Sequence, residues 1–178
     1  MNNCFPFYCG PCGPVEPVCG CPGSCANGCE CADNCGCMNP CLCREPVYGF
    51  FTQVGTLDVN SGGVIPFNGG STVEGIWKDG GELTLDTAGV YMVTLSADVP
   101  ENVTLYTELD VRVNGVTNPG GRLILDKEYA DAPLMANTQT VITVNEGAVV
   151  TVTSSEGVAF STGSASQPIV TLSIVKLS

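Results

Sequence analysis

From Tyr48 onward, apolar and polar side chains alternate with a period of two along much of the chain. The clearest run is 103–113, VTLYTELDVRV, with Val103, Leu105, Leu109, Val111 and Val113 on one face and Thr104, Tyr106, Glu108, Asp110 and Arg112 on the other. Successive side chains of an extended strand point to opposite sides, so this run predicts a strand with one buried and one wet face. Residues 90–99 repeat the pattern, with Tyr91, Val93, Leu95, Ala97 and Val99 facing inward. Their opposite face begins apolar at Val90 and Met92, then turns polar at Thr94, Ser96 and Asp98. Apolar side chains on a nominally wet face predict cover from a neighbouring chain, which makes Val90 and Met92 the candidate subunit-interface pair.

The same reading places further strands near 49–59, 63–67, 72–77, 82–86, 121–125, 133–144, 148–154, 157–162 and 168–177. Turn signals separate them: NSGG at 60–63, KDGG at 78–81, Asn114-Gly115, NPGG at 118–121 and Asn145-Glu146-Gly147. No window has a helical period with caps. The segment IVTLSIVKL near the C-terminus is apolar on both faces in places, as a central or interface strand is. About ten short strands at spacings of roughly 8–12 residues predict an all-β antiparallel sandwich or jelly roll spanning residues 47–178.

Residues 1–46 are of another kind. All 12 cysteines lie there: Cys4, Cys9, Cys12, Cys19, Cys21, Cys25, Cys29, Cys31, Cys35, Cys37, Cys41 and Cys43. Cys19, Cys25, Cys31, Cys37 and Cys43 recur every six residues, and Cys29, Cys35 and Cys41 form a second series offset by two, giving the hexads GCECAD, NCGCMN and PCLCRE. Six is a multiple of two and of three, so a strand or a polyproline-type helix would line the sulfurs into rows, whereas an α-helix would scatter them. Gly and Pro also oppose helix here, and few apolar side chains remain to form a core. Such an arm needs covalent or metal staples, or a partner surface. Ahead of the hexads, Phe5, Phe7 and Tyr8 sit among prolines, an apolar tip suited to docking into a pocket or sheet edge of another subunit.

Charge narrows the choice of partner. The chain carries 18 acidic against 6 basic residues, a net charge of -12, which argues against nucleic acid or an anionic membrane. No stretch approaches the roughly 18 apolar residues of a membrane span. The N-terminus MNNCFPFYCG lacks a basic region followed by an apolar run, so no secretory signal is read there. Dense cysteine nonetheless predicts an oxidising setting. A processed fragment, metal-binding thiols in a reducing cytosol, or synthesis in a cell that later lyses would each reconcile the two.

The absence of His removes the usual general base, the commonest zinc ligand and the Ser-His and Cys-His nucleophile arrangements, so no catalytic residues and no cofactor are expected. Asp98 with Glu101, and Glu108 with Asp110, read as solvated surface charge rather than acid–base pairs. Asp126, Glu128 and Asp131 offer hard oxygen ligands of the kind calcium takes, without an EF-hand spacing. The Cys-x-Cys repeats also fit a thiolate cluster for soft metals. That alternative is weakened by charge: the arm has one base, Arg44, against Glu16, Glu30, Asp33 and Glu45. Disulfides are favoured, and since cysteines two apart in an extended chain point the same way, their partners are expected on other strands or other chains.

The run GELTLDTAGVYMVTLSADV, then LDVRVNG, TQTVITVNEGAVVTVTSS and IVTLSIVKLS, resembles the globular head of complement and tumour-necrosis-factor-like jelly rolls. Within that group it looks most like the C-terminal domain of the collagen-like exosporium glycoproteins of endospore-forming bacteria. The residues that carry the likeness are Gly89, Tyr91, Asn114-Gly115 and Gly147, across about 48–178. The resemblance implies a ten-stranded jelly roll that trimerises about a threefold axis, without catalytic activity, on a spore surface. Where those relatives have a Gly-x-y collagen stalk, this chain has Cys hexads. The expectation is therefore a structural subunit of a spore-surface fibre or layer, its homotrimeric heads joined head to tail through a disulfide-rich arm, with an anchoring spore-coat protein as a further partner. An adhesin-like module for carbohydrate or protein, and a thiolate metal-binding protein, are the alternatives.

Overall fold

The computed structural model describes residues 47–69 and 73–178. Twelve strands form there: β1 (Tyr48–Val54), β2 (Thr56–Val59), β3 (Val73–Glu74), β4 (Ile76–Asp79), β5 (Glu82–Leu85), β6 (Gly89–Val99), β7 (Leu105–Val113), β8 (Val116–Lys127), β9 (Leu134–Val144), β10 (Ala148–Ser154), β11 (Val158–Ser161) and β12 (Pro168–Lys176). No helix is present among the described residues. The strands build two antiparallel five-stranded sheets, ordered β3-β1-β12-β6-β9 and β4-β5-β10-β7-β8, with β11 and β2 paired as a third, small sheet. β12, apolar on both faces in the sequence, is the middle strand of the first sheet.

Alternation selects the core. All five inward residues read from 90–99, Tyr91, Val93, Leu95, Ala97 and Val99, are buried, and from β7 so are Leu109 and Val111. They join Leu83, Leu85, Leu123, Leu125, Val150 and Val152 from the second sheet and Phe51, Val170, Leu172 and Ile174 from the first in one apolar cluster. Full burial of each such side chain contributes about 1.5–3 kcal/mol. Phe51 and Phe67 meet in a tilted pair with ring centroids 6.4 Å apart. Tyr91 is fully buried yet satisfies its hydroxyl by donating to the Thr87 carbonyl at 2.7 Å.

Three expectations are corrected. The strands number twelve rather than about ten, because 49–59 and 72–77 are each divided by a glycine with positive φ, Gly55 at 75° and Gly75 at 66°. Residues 63–67 form no strand, only one bridge from Val64 to Thr153. Their apolar side chains signalled burial instead, since Ile65 and Phe67 are wholly inside. NPGG at 118–121 is not a turn but a bulge inside β8: Arg112 pairs with Thr117 and Asp110 with Arg122, so four residues oppose the single Val111. A Cβ on Gly121 would lie 2.7 Å from that of Val111, which is why a small residue is needed at this crossing. The actual reversal is Asn114-Gly115, where both residues have positive φ and Val113 pairs with Val116, as a two-residue hairpin requires.

Candidate self-association face

The register of the first sheet aligns its outward side chains into rows. Tyr48 of β1 pairs with Val175 of β12, Val175 with Met92 of β6, and Met92 with Val141 of β9. The next row is Phe50, Ser173, Thr94 and Gln139, in which the Gln139 amide donates to Thr94 Oγ1 at 3.1 Å. A third is Thr52, Thr171, Ser96 and Asn137. Beyond it Asp98 pairs with Met135. Phe50 is 46% exposed, Val141 55% and Met135 79%, so this face ends in large apolar side chains open to solvent. Its charged side chains among the described residues are two carboxylates at the margins, Glu74 on the edge strand and Asp98 at the far end.

The cations of the head lie elsewhere. Lys176 ends β12 in register with Tyr91, an inward position; its Nζ donates to Thr87 Oγ1 at 2.8 Å and lies 5.8 Å from the Tyr91 ring centre. Lys127 is buried and donates to the Pro100 and Val103 carbonyls. Lys78 donates to the Phe67 carbonyl. Arg112 and Arg122 stand on the outer face of the second sheet with Asp79, Glu82, Glu108, Asp110 and Asp126. There Arg122 Nε donates to Asp110 at 2.8 Å and Nη1 reaches Glu108 at 2.9 Å. The hydrogen bond and charge of Asp110, with the charge of Glu108, raise the Arg122 pKa above its ordinary value, so the guanidinium stays charged.

Solved structures resemble this arrangement. Murine APRIL at pH 5.0 superposes with a TM-score of 0.56 at 18% identity, covering 75% of this chain and 100% of that one. The globular domain of zebrafish complement 1qA gives 0.56 at 14%, covering 75% and 98%. Eiger TNF from S. frugiperda gives 0.59 at 15%, covering 76% and 94%. The head has the jelly-roll fold of these proteins. No family model matches the sequence, and no curated protein matches it.

On this jelly roll, Val90 and Met92 are half-buried on the outer face of the first sheet, where the sequence put them. The structure adds Tyr48, Phe50, Val141 and Val175, which sequence reading did not group with them because the row depends on pairing between distant strands. The two-faced apolarity of IVTLSIVKL was the available signal for Val175. Glu108 and Asp110 are not a solvated pair: Asp110 is buried and both carboxylates are held by Arg122. Asp126, Glu128 and Asp131 are exposed, and among the described residues no three Cys, Asp or Glu side chains are grouped as a cation site. The 12 cysteines and the tip residues Phe5, Phe7 and Tyr8 lie outside the described residues.

Proposed function

We propose that this chain is a non-enzymatic structural subunit of a spore-surface fibre or layer. Heads associate in threes through the outer face of the first sheet, and the Cys-rich segment 1–46 joins one assembly to the next by disulfides. The observation that carries the self-association is the face itself: a continuous row of Tyr48, Val175, Met92 and Val141, free of cations and with carboxylates only at its margins, on a chain of net charge -12. Copies of an acidic chain repel one another, so contact is least opposed where charge has been left out. Charge depletion with exposed aromatic and Met side chains is also what the centre of a subunit interface requires.

The joining role rests on sequence. Twelve cysteines in the first 43 residues, eight of them in two six-residue series, need partners. An extended segment of that length reaches on the order of 130 Å, enough to bridge neighbouring heads. The spore surface, which lysis of the mother cell exposes to air, is an oxidising setting that accommodates the cysteines. Each closed loop would add about 2–4 kcal/mol. Electrophoresis of the full-length protein with and without reductant, beside negative-stain imaging, tests this. High-mass ladders or fibres that survive boiling and collapse only with reductant are expected; a lone monomer band without reductant contradicts interchain bonding.

A further inference from the structure

Beside its apolar rows, the first sheet carries a groove of about 290 Å³, lined on β6 by Ser96 and Asp98, on β9 by Met135 and Asn137, and ahead of and within β12 by Gln167, Pro168 and Thr171. It opens where a ladder stops. β12 pairs with β6 from Lys176 only as far as Val170, opposite Ala97, while β6 continues with β9 to Val99. The pairing of β12 with β1 shifts register over the same stretch, between Gln53 and Val54, to reach Pro168. Proline has no N–H to continue a ladder, so the strands part there.

We infer that this groove is a binding site for a neutral pyranose. None of the side chains of Ser96, Asp98, Asn137, Gln167 and Thr171 has a hydrogen-bond partner among the described residues, whereas nearby Thr94, Gln139, Thr138 and Thr140 all do. Together they offer an acceptor-only carboxylate, two amides that donate and accept, and two hydroxyls, the complement of adjacent sugar hydroxyls that each donate once and accept once. Pro168 and Met135 supply apolar surface for the C–H face of a ring. The lining has no Lys or Arg and does have Asp98, which disfavours an anion. A lone carboxylate among neutral oxygens is a poor cation cage. The volume lies at the small end of ligand pockets, which fits one ring rather than a chain. Ser96 and Asp98 lie four and six residues along β6 from Met92, about 13 and 20 Å in an extended strand, so the groove occupies the Met135 end of the same face, beyond the row of Tyr48, Val175, Met92 and Val141.

The test is saturation-transfer NMR on the intact protein with methyl pyranosides of glucose, galactose, mannose and rhamnose, repeated on a Met92→Asp variant so that cover by a second copy does not hide the groove. Transfer to at least one glycoside in either protein is expected, with affinity falling about tenfold in Asp98→Ala and also in Asn137→Ala, and unchanged in Glu82→Ala on the other sheet. Unchanged melting of the variants shows that the fold is kept. No transfer in either protein, or transfer that survives Asp98→Ala, overturns the assignment.

Discussion

The two sheets of the head carry outer faces of opposite character. The β4-β5-β10-β7-β8 sheet carries seven charged side chains on its outer face, Asp79, Glu82, Glu108, Asp110, Arg112, Arg122 and Asp126, and ties three of them, the buried Asp110 included, into an ion cluster. The β3-β1-β12-β6-β9 sheet shows Tyr48, Phe50, Met92, Val141 and Met135 among hydroxyls and amides, with carboxylates only at its margins. Both faces rest on the same apolar core and follow the same alternation, so stability does not require the difference. A face that stays in water gains from charge, through solubility and repulsion of other copies. A face that must lose water to meet another copy is harmed by it, because each buried unpaired charge costs several kcal/mol.

Neighbouring phenylalanines on β1 separate core from face most sharply. Phe51 is fully buried and Phe50 is half exposed on the proposed contact face. Phe51→Ala should cost about 3–5 kcal/mol of head stability in denaturant titration. Phe50→Ala should change that stability by less than about 0.5 kcal/mol, yet raise the dissociation constant of the assembly about tenfold. Equal effects of the two on folding would erase the distinction.

A smaller effect is expected on the charged face. Arg122→Ala leaves the buried Asp110 carboxylate without its partner, so the melting temperature falls while the oligomeric mass stays the same. Adding Asp110→Asn should recover part of the loss, because the orphaned charge is gone. A change of mass in Arg122→Ala would move the contact to the wrong sheet.

Smallest is the bulge at 118–121, which lies between the faces. Asn118 Oδ1 accepts from the Gly120 N–H at 3.0 Å and from Thr140 Oγ1 at 3.2 Å, tying β8 to the edge strand β9. Asn118→Ala should cost about 1 kcal/mol in denaturant titration, with faster amide exchange confined to β8 and β9. Exchange that rises equally throughout the head would show that the bulge is not a local clamp.

Much of this molecule was legible in residue order. Period-two alternation located β6 and β7 and the inward set Tyr91 to Val99, because side-chain direction in a strand is fixed locally. What depended on pairing was not legible. Glycine-rich NPGG reads as a turn until Val111 is seen opposite it, and Ile65 and Phe67 read as a strand although their backbone makes little ladder. Asp110 looks like surface charge until Arg122 arrives from β8. For the candidate face, Val90 and Met92 were visible as apolar residues out of phase, whereas the row through Tyr48, Val175 and Val141 exists only once β1, β12 and β9 have taken their register.

The most direct test is sedimentation equilibrium of the full-length protein in reductant, with and without Met92→Asp, and with Thr151→Asp on the opposite sheet as the matched control. The wild-type chain and Thr151→Asp should sediment with three times the chain mass of 18.4 kDa, and Met92→Asp as a monomer that still melts cooperatively, at a temperature independent of concentration. A Met92→Asp protein that keeps the wild-type mass, or a wild-type chain that is monomeric at every concentration, would contradict assembly through the uncharged face.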